Sequence, residues 1–199
     1  PQTPLHIIFD AHARALTEGT GSLKIESASI DLLNDTEWQV TCKTICKNVD
    51  AQGISPNHLL RFEHRLKWDA GAWNNLNFNG ADGGVAGIIL RHISSTHSSV
   101  ELDSIGVNIN NSEFIGGFFT GTHLASYSTI QSCSFSEGII DHAQLSIDET
   151  SHPVRLAGNS FEGHSVGLRL KQSTGNISCN TWQACEVGIA LDTNAFLNA

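Results

Sequence analysis

Methionine is missing from all 199 residues of this chain, position 1 included, and proline occurs only 4 times. A chain that starts on Pro1 is expected to be a mature or excised piece whose signal peptide has gone. So little proline leaves no Pro-rich linker, and a single domain over residues 1–199 is expected. No apolar run nears the roughly 18 residues that cross a bilayer, so membrane insertion is not expected. Basic blocks are absent too. The 11 Lys and Arg are scattered among 20 Asp and Glu, for a net charge of −9. That pattern speaks against nucleic acid and anionic membrane surfaces, and for a soluble exported protein.

The 5 cysteines lack metal spacing: Cys42 and Cys46 have three residues between them, Cys179 and Cys185 five. With no His-x-x-x-His among the 10 histidines, neither a metal nor any other cofactor is expected. The cysteines read as small apolar residues in interior stacks. A Cys179–Cys185 disulfide across a corner stays open in an oxidising compartment.

What the chain does have is a repeat. Ile93, Phe114, Phe135, Phe161 and Trp182 are spaced 21, 21, 26 and 21 residues apart. Five places before each stands Ile88, Ile109, Ile130, Leu156 or Ile177. A short second strand follows each anchor: Val100–Leu102, Phe118–Thr120, Ile139–Asp141, Leu168–Leu170 and Ile189–Leu191. Within each repeat the apolar residues alternate with polar ones, which is the strand period. About 21 residues is too short for a helical-hairpin repeat. The expectation is an all-β solenoid, with Ile88, Ile109, Ile130, Leu156 and Ile177 stacked in one interior row. Ile93, Phe114, Phe135, Phe161 and Trp182 form the other. Residues 86–199 read as regular coils and 1–85 as irregular ones with loops.

The motifs Asn-Ser-x-Phe, Gly-Asn-Ser-Phe and Cys-Asn-Thr-Trp, followed by Gly-Ile/Leu-x-Leu, resemble the repeat of the right-handed parallel β-helix, the pectate-lyase-like family. Gly71–Phe78 with Ile88–Ile93 is similar to coils of secreted bacterial β-helix surface proteins. The resemblance implies a right-handed parallel β-helix and an extracellular or cell-surface location. It implies little about activity, because lyases, hydrolases, adhesins and inert modules share this architecture.

Before the regular coils, Asp10–Leu16 could be a capping helix or a strand, and the seven-residue spacing of Leu16, Leu23 and Ile30 favours strand. Trp38, Val40, Cys42, Thr44 and Cys46 alternate as one strand face. Lys47–Asn57 reads as a loop and Glu63–Asp69 as a charged surface excursion. The five extra residues of the longest coil are expected in the polar segment Asp148–His152, with Pro153 restarting the next strand.

Catalysis on such a fold needs carboxylates or bases on neighbouring coils. Outward on the first strands stand Gly87 and Ile89, Asn108 and Asn110, Thr129 and Gln131, Arg155 and Ala157, Asn176 and Ser178. That face has no carboxylate and suits hydroxyl-rich ligands or plain solvation. Outward on the second strands, His142, Arg169 and Lys171 form a small basic patch beside Phe119 and Ile140. It is the one candidate groove for an acidic sugar, and a mixed solvated face reads the same way. The favoured reading is a non-catalytic extracellular module with a structural, adhesive or carbohydrate-binding role, its partner a polysaccharide or cell-surface glycan. A polysaccharide lyase or glycoside hydrolase acting on an acidic polysaccharide is the alternative. Phe196 and Leu197 are expected either to cap the last coil or to meet another copy, giving an oligomer or filament through coil ends.

Overall fold

The computed structural model describes residues 5–10, 12–54, 57–81, 87–137, 143–163 and 166–198. The described residues contain strands and turns and no helix. They wind as an all-β parallel solenoid of about 8 coils, roughly 22 residues apart. Leu5–Phe9 and Arg14–Thr17 are both strands, so the strand reading of the first residues holds.

Each coil presents three faces. The long strands Ser22–Leu32, Lys43–Gly53, Leu66–Asn74 and Gly87–Thr96 run through a bend and supply both a first and a second face. In later coils the same path divides in two, as in Gly106–Asn110 with Glu113–Ile115 and Val154–Ala157 with Ser160–Glu162. A separate sheet forms the third face, running from Arg14–Thr17 through Ser99–Asp103 and Phe118–Thr122 to Val187–Leu191.

One residue per coil makes the bend between the first two faces: Ser27, Asn48, Ala70, His92, Asn111, Ser132, Gly158 and Cys179, with φ between 49° and 65°. A single left-handed residue turns the chain without interrupting the parallel ladder. It costs a non-glycine residue roughly 1–2 kcal/mol, so the column persists because neighbouring coils hold it. The amide of Ser132 donates to the Ala157 carbonyl at 2.9 Å and that of Gly158 to Ser178 at 2.9 Å. Asn111 therefore faces solvent at a corner, although two-residue alternation would place it on the inward face of Ile109.

Small and polar side chains seal the inner side of the bend, at Ser112, Cys133, Asn159 and Asn180 in successive coils. Ser112 Oγ accepts the Ile93 amide at 3.2 Å. Asn159 Oδ1 accepts the Cys133 amide at 3.0 Å, while its Nδ2 donates to the Ile130 carbonyl at 3.0 Å. Asn180 repeats this on the Asn159 amide and the Leu156 carbonyl, both at 2.9 Å. The asparagines of the Gly-Asn-Ser-Phe and Cys-Asn-Thr-Trp motifs thus pair backbone groups that the bend takes out of the ladder.

The inward columns fill the core. Phe114, Phe135, Phe161 and Trp182 are rung-mates in one column, as the repeat predicts. Ile93 is not among them. The rung-mate of Phe114 is Ser95, and Ile93 lies opposite Gly71, buried at the bend. Ile109, Ile130, Leu156 and Ile177 form the other expected row, but Leu90 rather than Ile88 heads it, and Ile88 pairs with Val107. The cause is one short coil: Leu90 and Ile109 stand closer in sequence than Ile109 and Ile130 do. A two-residue offset keeps each side chain facing inward while moving it one column over.

Two further expectations are corrected. Lys47–Asn57 is not a loop up to Gly53, because Lys43–Gly53 is strand with Val49 and Ala51 buried. Glu63–Asp69 is not a surface excursion from Leu66 onward, since Leu66 and Trp68 are both 0 % exposed in the strand Leu66–Asn74. Charged outward residues masked the alternation there. Trp68, Trp73 and Phe78 make an aromatic cluster, with Trp68 and Trp73 5.1 Å apart and Trp73 and Phe78 stacked at 5.0 Å.

Candidate functional site

The basic patch read from the second strands does not assemble as expected. Phe119 is 1 % exposed and packs in the core between Val100 and Leu145. Thr120 and Thr122 take the outward places in its strand. Two adjacent aromatics, Phe118 and Phe119, made either facing consistent with the alternation. The third-face strand of the next coil is Ala143–Asp148, the extra length of this coil falls before Leu145, and the strand expected at Ile139–Asp141 lies outside the described residues. The register shows this directly: Phe114 pairs with Phe135 after a coil of ordinary length, but Phe119 pairs with Leu145 after a longer one. The insertion is therefore not in Asp148–His152. Ile140, Asp141 and His142 lie outside the described residues.

Arg169 and Lys171 do share the outward side of Val166–Lys171. Arg169 Nε stands 3.6 Å from Asp192 Oδ2, and Lys171 is the rung-mate of Asp148. Acidic residues thus flank both cations. Phe196 and Leu197 belong to the strand Phe196–Asn198, which adds in register to Thr174–Ser178. Leu197 packs against the core and Phe196 is 63 % exposed. The Cys179–Cys185 disulfide does not form, since all five cysteines are free. Cys42, Cys46 and Cys133 are buried as expected. Burial pushes the Cys46 thiol up to about 12 and the Cys133 thiol up to about 11.

A corner of the third face gathers titratable groups from three coils. His123 Nδ1 is 3.0 Å from Asp103 Oδ1, and its Nε2 is 3.1 Å from Glu149 Oε2. Only the imidazolium can donate from both nitrogens. The hydrogen bond to Asp103, helped by the charges of Asp103 and Glu149, raises the His123 pKa above its ordinary value. All three side chains are about half exposed, so this corner joins coils in full contact with water. Among the described residues no three His, Cys, Asp or Glu side chains gather where a metal ion could be held.

The first face is where the structure collects what the sequence scatters. Its outward side chains run in three columns along the solenoid. Ser22, Lys43 and Arg65 head the first; Lys24, Ile45, Lys67 and Ile89 the second; Glu26, Lys47, Asp69 and Arg91 the third. Four consecutive coils therefore carry six cations and two carboxylates, and Arg155 follows three coils on in the second column. Of the chain's 11 Lys and Arg this face holds seven, against two of its 20 Asp and Glu among the described residues. Its formal charge is +5 on a chain of −9.

Rungs lie about 4.8 Å apart and alternate residues in a strand roughly 6.6 Å apart. Neighbouring cations at such spacing repel by roughly 0.8 kcal/mol per pair in water. Glu26 and Asp69 offset part of this, with Lys24 Nζ 3.1 Å from Glu26 Oε1 and Lys67 Nζ 3.6 Å from Asp69 Oδ2. A hydrogen bond from His92, helped by the charge of Lys67, holds the Asp69 carboxyl below the usual range. Lys43, Lys47 and Arg65 project into solvent.

Beyond Arg91 the same columns become amide-rich, with Arg155 as their remaining charge. The second continues as Asn108, Thr129, Arg155, Asn176 and Asn198, the third as Asn110, Gln131, Ala157 and Ser178. Their side chains are held in place by one another: Asn110 Nδ2 donates to Asn108 Oδ1 at 2.8 Å, and Asn198 Nδ2 to Asn176 Oδ1 at 2.9 Å. The carboxylate-free outward positions read from these strands share this face, with Asn110 itself buried and Arg91 rather than Ile89 beside it.

Comparison of the chain with models of known protein families, with curated proteins and with solved structures finds no match in any of the three.

Proposed function

We propose that this chain is a non-catalytic β-solenoid module of the extracellular space or cell surface, similar to the pectate-lyase-like β-helix of secreted bacterial proteins, whose first face binds carbohydrate. The observation that carries the reading is the amide and hydroxyl array of Asn108, Thr129, Gln131, Asn176 and Ser178 on one open strand face, with the buried Asn110 holding Asn108. Asn and Gln amides offer a donor and an acceptor each, the pair a sugar hydroxyl needs, and hydrogen bonds from Asn110 and Asn198 already orient Asn108 and Asn176. An open face suits a chain of sugar rings that lies across several coils. Asp103 and Glu149, which His123 bridges, stand elsewhere, on an exposed corner.

The test is affinity electrophoresis through gels cast with soluble polysaccharides. The wild type should be retarded by at least one of them, and Asn108→Ala with Asn176→Ala should lose that retardation at unchanged thermal stability. Retardation lost instead in Arg169→Ala with Lys171→Ala would move the site to the third face. Turnover of a uronate polymer, abolished by Lys171→Ala, would replace this reading with that of a lyase.

A further inference from the structure

We infer that the first face takes an anionic polysaccharide of high charge density, such as a sulfated one, laid along the solenoid axis with its charged groups on the Lys and Arg rungs. The inference rests on the carbohydrate reading above and adds the ligand's charge and its orientation. Three observations carry it. The first is charge complementarity: the cations of Lys43, Arg65, Lys24, Lys67, Lys47 and Arg91 meet on four successive rungs, while the rest of the molecule is acidic. An anionic polymer is therefore attracted to this face and repelled by the others.

The second is continuity. Amide columns follow the cationic ones without a change of face, in the register Ile89–Asn108–Thr129 and Arg91–Asn110–Gln131. A ligand that spans both halves must offer anions and hydroxyls along one chain, as an acidic polysaccharide does. The third is what the face lacks among its described cationic rungs. No Phe, Tyr or Trp side chain projects from them on which a nucleobase could stack, and the His92 ring at the bend is held by Asp69. Ile45 and Ile89, the apolar outward residues between the cations, are half-buried rather than raised as a wedge for lipid. The sequence hides this surface because its cations stand in ones and twos with coil-length intervals between them, so no basic run appears.

The experiment measures binding of the 199-residue chain to immobilised dextran sulfate, neutral dextran of matched length, duplex DNA and phosphatidylserine vesicles over a salt series. Dextran sulfate should bind best and weaken steeply with salt, by about tenfold or more between 50 and 200 mM. Lys43→Gln with Lys47→Gln and Arg65→Gln should weaken it about tenfold or more at an unchanged melting temperature. Arg169→Gln with Lys171→Gln on the third face should leave it unaltered.

Neutral dextran bound as tightly as dextran sulfate, without salt dependence, would overturn the anionic inference and leave the carbohydrate reading standing. DNA or vesicles bound more tightly than dextran sulfate, with the same loss in the triple variant, would keep the cationic face and overturn the polysaccharide. No retention on either dextran would count against both.

Discussion

Phe135 lies face to face with Phe114 one coil before it, ring centroids 5.2 Å apart and planes 12° from parallel. Phe161 continues the stack at 5.1 Å and 7°. Cross-strand aromatic pairs usually choose their geometry; here the parallel rung spacing imposes it. Phe135→Ala opens a gap in the middle of this stack, where the ring is 2 % exposed. The expected loss is about 3–5 kcal/mol in chemical denaturation, and Phe135→Leu should cost clearly less. A loss below about 1 kcal/mol would show that the stack adapts as a row of independent pairs.

Asn159 is 1 % exposed and pairs two backbone groups at the bend, the Cys133 amide and the Ile130 carbonyl. Asn159→Ala leaves both without that partner, at about 1–3 kcal/mol each. Asn159→Asp keeps the acceptor for Cys133 and loses the donor for Ile130, so it should still destabilise. Equal stability of the wild type and both variants would mean that water replaces the amide.

His123 carries a pH dependence whose sign follows from its partners. Its folded pKa is raised, chiefly by the hydrogen bond to Asp103. The protonated ring therefore contributes stability in full below the ordinary histidine value of 6.5, and that contribution is lost as pH rises through the folded value. Asp69 acts in the opposite sense: its folded pKa is lowered, first by the hydrogen bond from His92, so its contribution is present above the ordinary aspartate value and is lost as pH falls through the folded one. NMR titration should place the His123 ring above a free histidine, and Asp103→Asn with Glu149→Gln should return it. A His123 that titrates normally in the wild type would show that the corner is open in solution.

The cysteines should separate by reactivity. Burial holds the Cys46 and Cys133 thiols in their neutral form far above neutral pH, whereas Cys179 is exposed at a bend. Iodoacetamide at pH 8 under native conditions should modify Cys179 first, with Cys46 and Cys133 protected until unfolding. Labelling of Cys133 as fast as Cys179, read by peptide mass spectrometry, would contradict the packing at the bend.

The parallel solenoid, the stack of Phe114, Phe135, Phe161 and Trp182, and the column of Ile109, Ile130, Leu156 and Ile177 were all legible in the amino-acid sequence. A local period determines them: residues one coil apart must meet whenever coil length is constant. Where coil length changes, local reading can slip by the number of residues lost or gained, two at Ile88 and five at Phe119. Ile88 and Ile93 moved one column over, and Phe119 meets Leu145 rather than a residue one ordinary coil away. Alternation alone could not choose which of Phe118 and Phe119 faces inward, because both are apolar and only packing against Val100 and Leu145 decides. The amide half of the first face was readable from its own strands. Its cationic half was not, because Lys43, Lys67 and Arg91 each stand a full coil from the next along the chain. Coulomb interactions depend on distance in space, and the winding of the chain is what brings those charges to a few ångströms from one another.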